Sequence, residues 1–444
     1  MEQQKLQGDM IRYIMANMDD AVFVTDRHGF LLYYNPAAQA LFGLSSPGEK
    51  MQRIWEYIPF VETNDSLVEM FIGSIQSRQA SQQALVLYEN NLGTVSHLRV
   101  SLSYREEDGG LFLVVISDLS ELVRVKDAFT RYTSPQIADY VLSSPEGEKR
   151  DGENREVTIL MSDLRGFTAM SANMEAKPLV EMLNHYFEKM VEVISSFQGT
   201  VIEFLGDGIF VVFGAPKSDP DHAANAVSCA LMMQNTMPEV NRWNREHGFH
   251  ALTMGIGVCS GTCAVGNIGS DRKMKYGCVG ESVNLAGRVE SQTVGSQILI
   301  TESTAVLARE PLTIADEFSF LPKGFREPLT VYDVTAFGTE YRLDRKAEEP
   351  AWIRLAEPPV VRFHLLNENK SVNRDWLEGE VLSVSDDGSR LKLRTSSPPA
   401  FHQNVLIDIG DNLYGKAIGQ EAEEAVICLT AFPDCFEGWF KSLR

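Results

Sequence analysis

Residues 200–213 read TVIEFLGDGIFVVF, and this stretch decides the fold. Thr200-Val201-Ile202-Glu203-Phe204 and Ile209-Phe210-Val211-Val212-Phe213 are β-branched and aromatic runs of strand length. Between them, Leu205-Gly206-Asp207-Gly208 is a hairpin signature. Working outward, residues 157–161 form a short apolar strand. Residues 178–198 have helical spacing, with Leu179, Met182, Leu183, Tyr186, Phe187 and Met190 on one face. Residues 221–245 give a second helical stretch and 252–258 another strand. The order is βαββαβ, which predicts a ferredoxin-like sheet with helices on one face, held within residues 155–337.

Length and composition set the outer limits. The 444 residues correspond to roughly three domains at ~150 residues each. With 44% hydrophobic and 23% charged residues, the composition is that of an ordinary globular chain, and the elements along it predict an α+β multidomain protein. It excludes a largely disordered protein, a collagen-like fibre and a small disulfide scaffold. Asp and Glu outnumber Lys and Arg by 61 to 40, for a net charge of −21. So acidic a chain lacks the clustered cations that track nucleic acid or an anionic membrane surface, and neither is a predicted partner. No apolar run approaches the ~18 residues of a spanning helix. The opening MEQQKLQGDM lacks the basic-then-apolar order of a signal peptide. Six cysteines are too few for a disulfide framework. Neither Cys259-x3-Cys263 nor Cys428 with Cys435 has a second Cys/His pair at zinc spacing. Reduced, mostly buried thiols in a cytoplasmic protein are predicted.

Residues 1–118 carry alternating apolar stretches at 21–24, 30–34, 98–102 and 111–116, which read as strands. Asp26-Arg27-His28-Gly29 is a turn, and Asn35-Pro36-Ala37-Ala38 opens a capped helix. Through DAVFVTDRHGFLLYYNPAAQALFG (20–43) and LFLVVISDLSE (111–121) this segment resembles a PAS sensor domain, whose ligand the pattern does not name. No Cys precedes Cys229, so a flavin-adduct photosensor is not expected. His28, in a loop, reads as solvated rather than as a haem ligand. Residues 119–154 are a helical connector and linker. Leu122, Val125, Phe129 and Tyr132 follow the 3-4-3 spacing of a short coiled-coil seam, which Pro135 and the polar stretch 143–154 interrupt.

Residues 352–444 read as a small β barrel, with strands at 381–384, 389–393 and 405–409 and a turn at Asp387-Gly388. Through GEVLSVSDDG (379–388) this segment loosely resembles a PilZ domain. Ser383 stands where that family carries Asp or Asn, and no paired-Arg motif lies upstream, so cyclic di-GMP binding is not expected there and the pattern names no other ligand.

The chemistry lies between these flanks. Asp163 follows the strand at 157–161 within MSDLRGFT (161–168), and Asp207 sits in the hairpin turn. Carboxylates at neighbouring strand ends can share hard cations whose open positions take substrate phosphates. Gly166 and Gly206 let the backbone approach closely and offer amides to oxyanions. Taken singly, Asp163 reads as a helix cap and Asp207 as a turn residue. A third element, VGESVNLAGR (279–288), is a glycine turn entering a helix. Asn284 and Arg288 are four residues apart there and project from one face. An amide beside a guanidinium suits a ribose oxygen beside phosphate charge.

Together, SDLRGFT (162–168), EFLGDGIFVVFGAP (203–216), VGESVNLAGRVE (279–290) and LPKGFREPLTVYDV (321–334) closely resemble a class III nucleotide cyclase. FTRYTSPQIADYV (129–141) is similar to the element that precedes many such domains. The resemblance implies conversion of a nucleoside triphosphate to a 3′,5′-cyclic nucleotide and pyrophosphate. Asp163 and Asp207, with Leu164 beside them, would hold two Mg²⁺ or Mn²⁺ ions. Backbone near Leu164, Gly166 and Phe167 would cradle phosphates, and Lys323, assisted by Arg326, would bind the triphosphate. Asn284 would orient the ribose, and Arg288 would stabilise charge on the transferring phosphoryl group. Family sites form between two chains. This one carries both residue sets, which implies a homodimer with two symmetric sites. The PAS segment would then act through paired connector helices. An inactive scaffold between sensor and barrel is the alternative from another class.

The purine is read from two positions. Adenylate-forming members of the family usually place Lys where this chain has Glu203, and guanylate-forming members use Glu. A carboxylate accepts both N1–H and N2–H₂ of guanine, whereas it faces a lone pair at adenine N1. The second position, Asp or Thr in adenylate enzymes and Cys in guanylate enzymes, is Gly277, with Cys278 one residue later. GTP is the predicted substrate and ATP the alternative, with Cys278 or backbone substituting at the second position under a one-residue shift.

Overall fold

A computed structural model describes residues 10–443 apart from 12, 45–51, 80, 107–108, 144–151, 173, 271, 340–341, 346–350, 367–375, 387, 401–402, 432 and 434. The opening nine residues, most of the polar stretch at 143–154, and Asp387 of the expected barrel turn lie outside the described residues. The chain divides into two compact units, one ending at Tyr132 and the other starting at Thr133.

The first unit is a five-stranded antiparallel sheet with helices. Its strands are β1 (Ala21–Asp26), β2 (Leu31–Tyr34), β3 (Ser81–Glu89), β4 (Val95–Arg105) and β5 (Leu111–Asp118), in the order β2-β1-β5-β4-β3. Asp26 closes the expected turn by accepting hydrogen bonds from the amides of His28 and Phe30. Asn35 caps helix α1 (Pro36–Phe42), its side chain accepting from Ala38 N at 2.9 Å. Buried Asn35 also accepts from Val22 N, so one residue both starts the helix and ties it to β1. Helix α2 (Asp65–Ser77) buries Leu67 and Phe71 against Leu98, Val100 and Ile116 of the sheet. Neither α2 nor β3 announced itself by periodicity. The unit ends in helix α3 (Ser120–Tyr132), which buries no residue and leaves Leu122, Val125 and Tyr132 exposed.

The second unit begins with helix α4 (Pro135–Ser143), started by the proline that breaks the seam. Next is β6 (Glu153–Leu164), which begins inside the stretch expected to be linker. Helices α5 (Phe167–Ala172) and α6 (Ala176–Ser196) follow, then β7 (Thr200–Leu205), β8 (Gly208–Phe213), helix α7 (His222–Glu246), β9 (Met254–Ser270) and β10 (Lys273–Val279). Helix α8 (Glu281–Glu290), β11 (Ile298–Thr301), helix α9 (Glu302–Ala308), β12 (Leu312–Phe320), β13 (Leu329–Phe337) and β14 (Leu343–Asp344) complete this part.

Strand order in the sheet is β12-β13-β11-β9-β6-β8-β7, with β10 paired to β9 and β14 to β13. In the run β9-β6-β8-β7 each strand is antiparallel to its neighbour, in the arrangement of a βαββαβ unit. On one face Leu160, Val211 and Ile256 pack with Met182, Tyr186 and Met190 of α6 and Val227 and Leu231 of α7. The expected one-sided helical cover needs extending. Helix α8 lies on the opposite face, where Ala286 joins Val157, Ile159, Phe210 and Val212. β6 and β8 are buried on both faces and therefore read as continuous apolar runs.

The last part is a closed barrel of β16 (Val360–Leu365), β17 (Leu377–Ser385), β18 (Arg390–Arg394), β19 (Asn404–Asp408), β20 (Asn412–Glu421) and β21 (Glu424–Ala431). The strands run β17-β16-β19-β20-β21-β18, and β18 returns to β17; β15 (Trp352–Arg354) adds to β17. Phe363, Val381, Leu393, Val405 and Ile427 fill it, and helix α10 (Phe436–Ser442) covers it with Phe436, Trp439 and Phe440. Among the described residues no helix is long and apolar enough to cross a membrane.

Candidate active site

Two carboxylates meet at one end of the central strands. Asp163 is the next-to-last residue of β6, and Asp207 stands in the two-residue turn between β7 and β8. The Leu164 amide donates to Asp207 Oδ2 at 3.1 Å, so the end of β6 clasps the hairpin turn. Gly206 takes φ +69°, which lets Asp207 turn back toward β6. A Cβ on Gly208 would lie 2.9 Å from Ser162 O and 3.4 Å from Asp163 Oδ1, so only glycine fits beside that carboxylate. Burial pushes the Asp163 carboxyl up to about 6, and the Asp207 charge adds to this against the opposing pull of Arg165. A desolvated carboxylate whose cost of ionisation is raised by a neighbouring one fits a hard divalent cation, which removes that cost.

Arg165 follows at once and is half-buried. Its guanidinium pairs with Glu290, the last residue of α8. Burial lowers the Arg165 pKa, and Asp163 and Asp207 raise it. The side chain crosses β9 at Gly255, where any Cβ would overlap it. Gly166 has φ +71° and turns the chain into α5, whose first residue is Phe167.

The second constellation is a cleft of about 550 Å³ lined by Glu281, Asn284, Arg288, Lys323, Gly324 and Phe325. Asn284, Arg288 and Lys323, predicted from separate motifs, thus come together. Arg326, exposed one residue beyond, is not among the lining residues, and neither are Asp163 and Asp207.

At the third position, Glu203 of β7 meets Lys275 of β10, with Oε2 2.5 Å from Nζ and both side chains about half exposed. Lys275 and Gly277 are two apart in β10 and share a face. A Cβ on Gly277 would meet only Ile268 Cδ1, at 3.3 Å. The Cys278 thiol is buried with Val157 and Phe210 and hydrogen-bonds Cys263, which raises its pKa. Cys263 in turn is held down to about 7, chiefly by that bond, against burial.

Residues 150–333 match the model of the adenylate and guanylate cyclase catalytic domain, and residues 9–119 that of the PAS fold. The chain carries a class III cyclase catalytic domain and a PAS domain. Adenylate cyclase 1 of Rhizobium meliloti is 28% identical over 216 residues, which are 48% of this chain and 32% of that protein. Adenylate cyclase of Anabaena cylindrica is 27% identical over 266 residues, 55% of this chain and 51% of the relative. The chain therefore spans at most about half the length of these curated relatives. A solved structure described as the guanylyl cyclase Cya2 is 44% identical, with 44% of this chain and 99% of that chain covered and a TM-score of 0.43.

Two features of the cyclase domain escaped sequence reasoning. Lys275 was missed although strand alternation already put it on the face of Gly277. The Arg165–Glu290 pair was missed because its partners lie in motifs 125 residues apart, and nothing local signals a pairing.

Proposed function

We propose that the chain is a guanylate cyclase, making cyclic GMP and pyrophosphate from GTP at sites shared by two copies. The observation that carries the purine choice is the Glu203 carboxylate of β7, paired with Lys275. Such a carboxylate accepts from guanine N1–H and N2–H₂, while the ammonium beside it suits the O6 acceptor. Adenine presents the reverse order of donor and acceptor. The names of the two curated relatives, and the missing side chain at Gly277, favour ATP as the second reading.

In the reaction the ribose 3′-oxygen attacks the α-phosphorus, the bond to the β-phosphate oxygen breaks, and pyrophosphate leaves. Divalent cations held by Asp163 and Asp207, next to Leu164, would supply Lewis-acid neutralisation of the triphosphate and of the attacking oxygen. Amides at Gly166 and Phe167 would meet phosphate oxygens. Asn284 would hold the ribose so that its 3′-oxygen is in line, and Arg288 would donate to the phosphoryl oxygens as charge gathers on them. Lys323 would hold the leaving pyrophosphate, with Arg326 at the rim. The carboxylates are absent from the lining of the Asn284–Arg288–Lys323 cleft, which supports a site completed by a second copy. The exposed Leu122, Val125 and Tyr132 offer a seam for that pairing.

The test is to incubate the protein with equal GTP and ATP, with Mg²⁺ or Mn²⁺, and to quantify both cyclic nucleotides by mass spectrometry. Cyclic GMP in large excess is expected. Cyclic AMP in excess overturns the guanine reading, and no product with either metal leaves the inactive scaffold.

A further inference from the structure

The barrel touches the cyclase domain where α8 ends. Lys416 of β20 is 6% exposed, and its ammonium donates to the backbone carbonyl of Gln292 at 2.9 Å, with Gln292 Oε1 at 3.5 Å. Lys416 stands directly opposite Cys428 of β21, and Cys428 Sγ lies 4.0 Å from where a Cβ of Gly295 would be. One spot on the barrel thus faces the loop that leaves α8. The carbonyls of Gly287, Val289 and Glu290 are taken up within the helix end, by the amides of Ser291, Gln292 and Thr293. The Gln292 carbonyl, two residues beyond the helix, receives a charged donor from another part of the chain. Burying an ammonium is costly unless it is well bonded, and a cation at a helix C-terminus is favourable.

The helix it holds has little freedom to yield. A Cβ on Gly257 of β9 would overlap the backbone of Glu290 and lie 2.9 Å from Ala286 O, and a Cβ on Gly261 would overlap Ser282. α8 therefore rests directly on the backbone of β9 at Gly257 and Gly261. Its last residue, Glu290, is also paired to Arg165, next to the Asp163 end of β6. Arg345, paired with Asp333 at 2.6 Å, donates to Ser296 O and holds the far end of the same loop.

We propose that Lys416 of the barrel is a positioning residue for the cyclase reaction, holding the C-terminal end of α8 through the Gln292 carbonyl and so setting where Asn284 and Arg288 stand. The proposal rests on the reading of Asn284 and Arg288 given above. It makes the barrel part of the catalytic body, so that anything bound to the barrel that shifts β20 changes turnover.

The test uses the full chain with Mn²⁺ and whichever nucleotide it turns over. Lys416→Met is expected to lower kcat about tenfold with KM within about twofold, the range for losing a group that orients a reacting one. Lys416→Arg, which keeps a charged donor, is expected to restore most of the loss. In an Arg288→Ala background, Lys416→Met is expected to change turnover less than about twofold, because the two act through one helix. A kcat for Lys416→Met within twofold of wild type overturns the inference, as does a full tenfold loss on top of Arg288→Ala. If Lys416→Met does not fold, Lys416→Gln is judged by the same limits. Inactivity of the wild type with both nucleotides overturns the functional reading as well; an active wild type with an unaffected Lys416→Met overturns this inference alone.

Discussion

The two acidic positions of the cyclase domain use the same functional group in opposite surroundings. Asp163 and Asp207 are crowded together at strand ends, and burial with mutual repulsion holds Asp163 near 6. Glu203 stands half in solvent with a lysine 2.5 Å away. Charge at the first place is relieved only in part, by Arg165 and the Leu164 amide, which suits a cation site. Charge at the second is already balanced by Lys275, and what it would offer a base under the proposed reading is a pattern of donors and acceptors. The first arrangement is thereby committed to one chemistry, while the second can be retuned.

Four changes would break or sharpen that contrast. The largest effect is expected from Asp207→Asn or Asp163→Asn, which should lower turnover of either nucleotide on the order of a thousandfold, since metal-assisted charge neutralisation is worth several kcal/mol. Retention of a tenth of the activity, measured as product formed with Mn²⁺, would mean these carboxylates are not the cation ligands. Glu203→Lys should move the ratio of kcat/KM for GTP over ATP ten- to a hundredfold toward ATP, the worth of ~1.5–3 kcal/mol for a charged hydrogen bond, with turnover of the better substrate kept. A variant that loses both activities equally would place Glu203 with the aspartates. Lys275→Met should cost a few-fold in GTP preference at low ionic strength and less at high salt, because an exposed pair is screened. A salt-independent loss would show that the pair is desolvated in the working dimer.

The smallest effect concerns metal-free stability. Asp163 binds its proton more tightly folded, at about 6, than its ordinary value of 3.8. Between those values the folded chain holds more protons than the unfolded one, so stability falls as pH rises through that window. Melting in a chelator should therefore shift downward from pH 4 to 6, less so in Asp163→Asn, and Mn²⁺ should oppose the shift. An upward shift specific to Asp163 would refute the burial argument.

Legibility in the sequence followed the range of the forces involved. The βαββαβ core was readable because strands buried on both faces must be continuously apolar and because Gly206-Asp207-Gly208 allows only a tight turn. The PAS turn and cap were readable since Asp26 and Asn35 bond within a few residues of themselves. α2 and β3 were not, because their half-buried faces depend on neighbours far along the chain. At the site, Asp163, Asp207, Asn284, Arg288 and Lys323 could be named from their motifs. That the last three line one cleft without the aspartates agrees with the two-chain site the resemblance implies; the cleft itself is built by packing and no motif describes it.

The sequence by itself determined the order of elements, the acidic and polar residues available for chemistry, and Glu203 rather than Lys at the position proposed to read the purine. Those depend on local periodicity, turn stereochemistry and side-chain identity. Only the tertiary structure decided that Lys275 partners Glu203, that Cys278 turns inward to Cys263, that α8 rests on glycines of β9, and that a barrel lysine reaches Gln292, 124 residues away. Each is a contact between distant segments, set by how sheet, helix and barrel pack, and no local propensity encodes it.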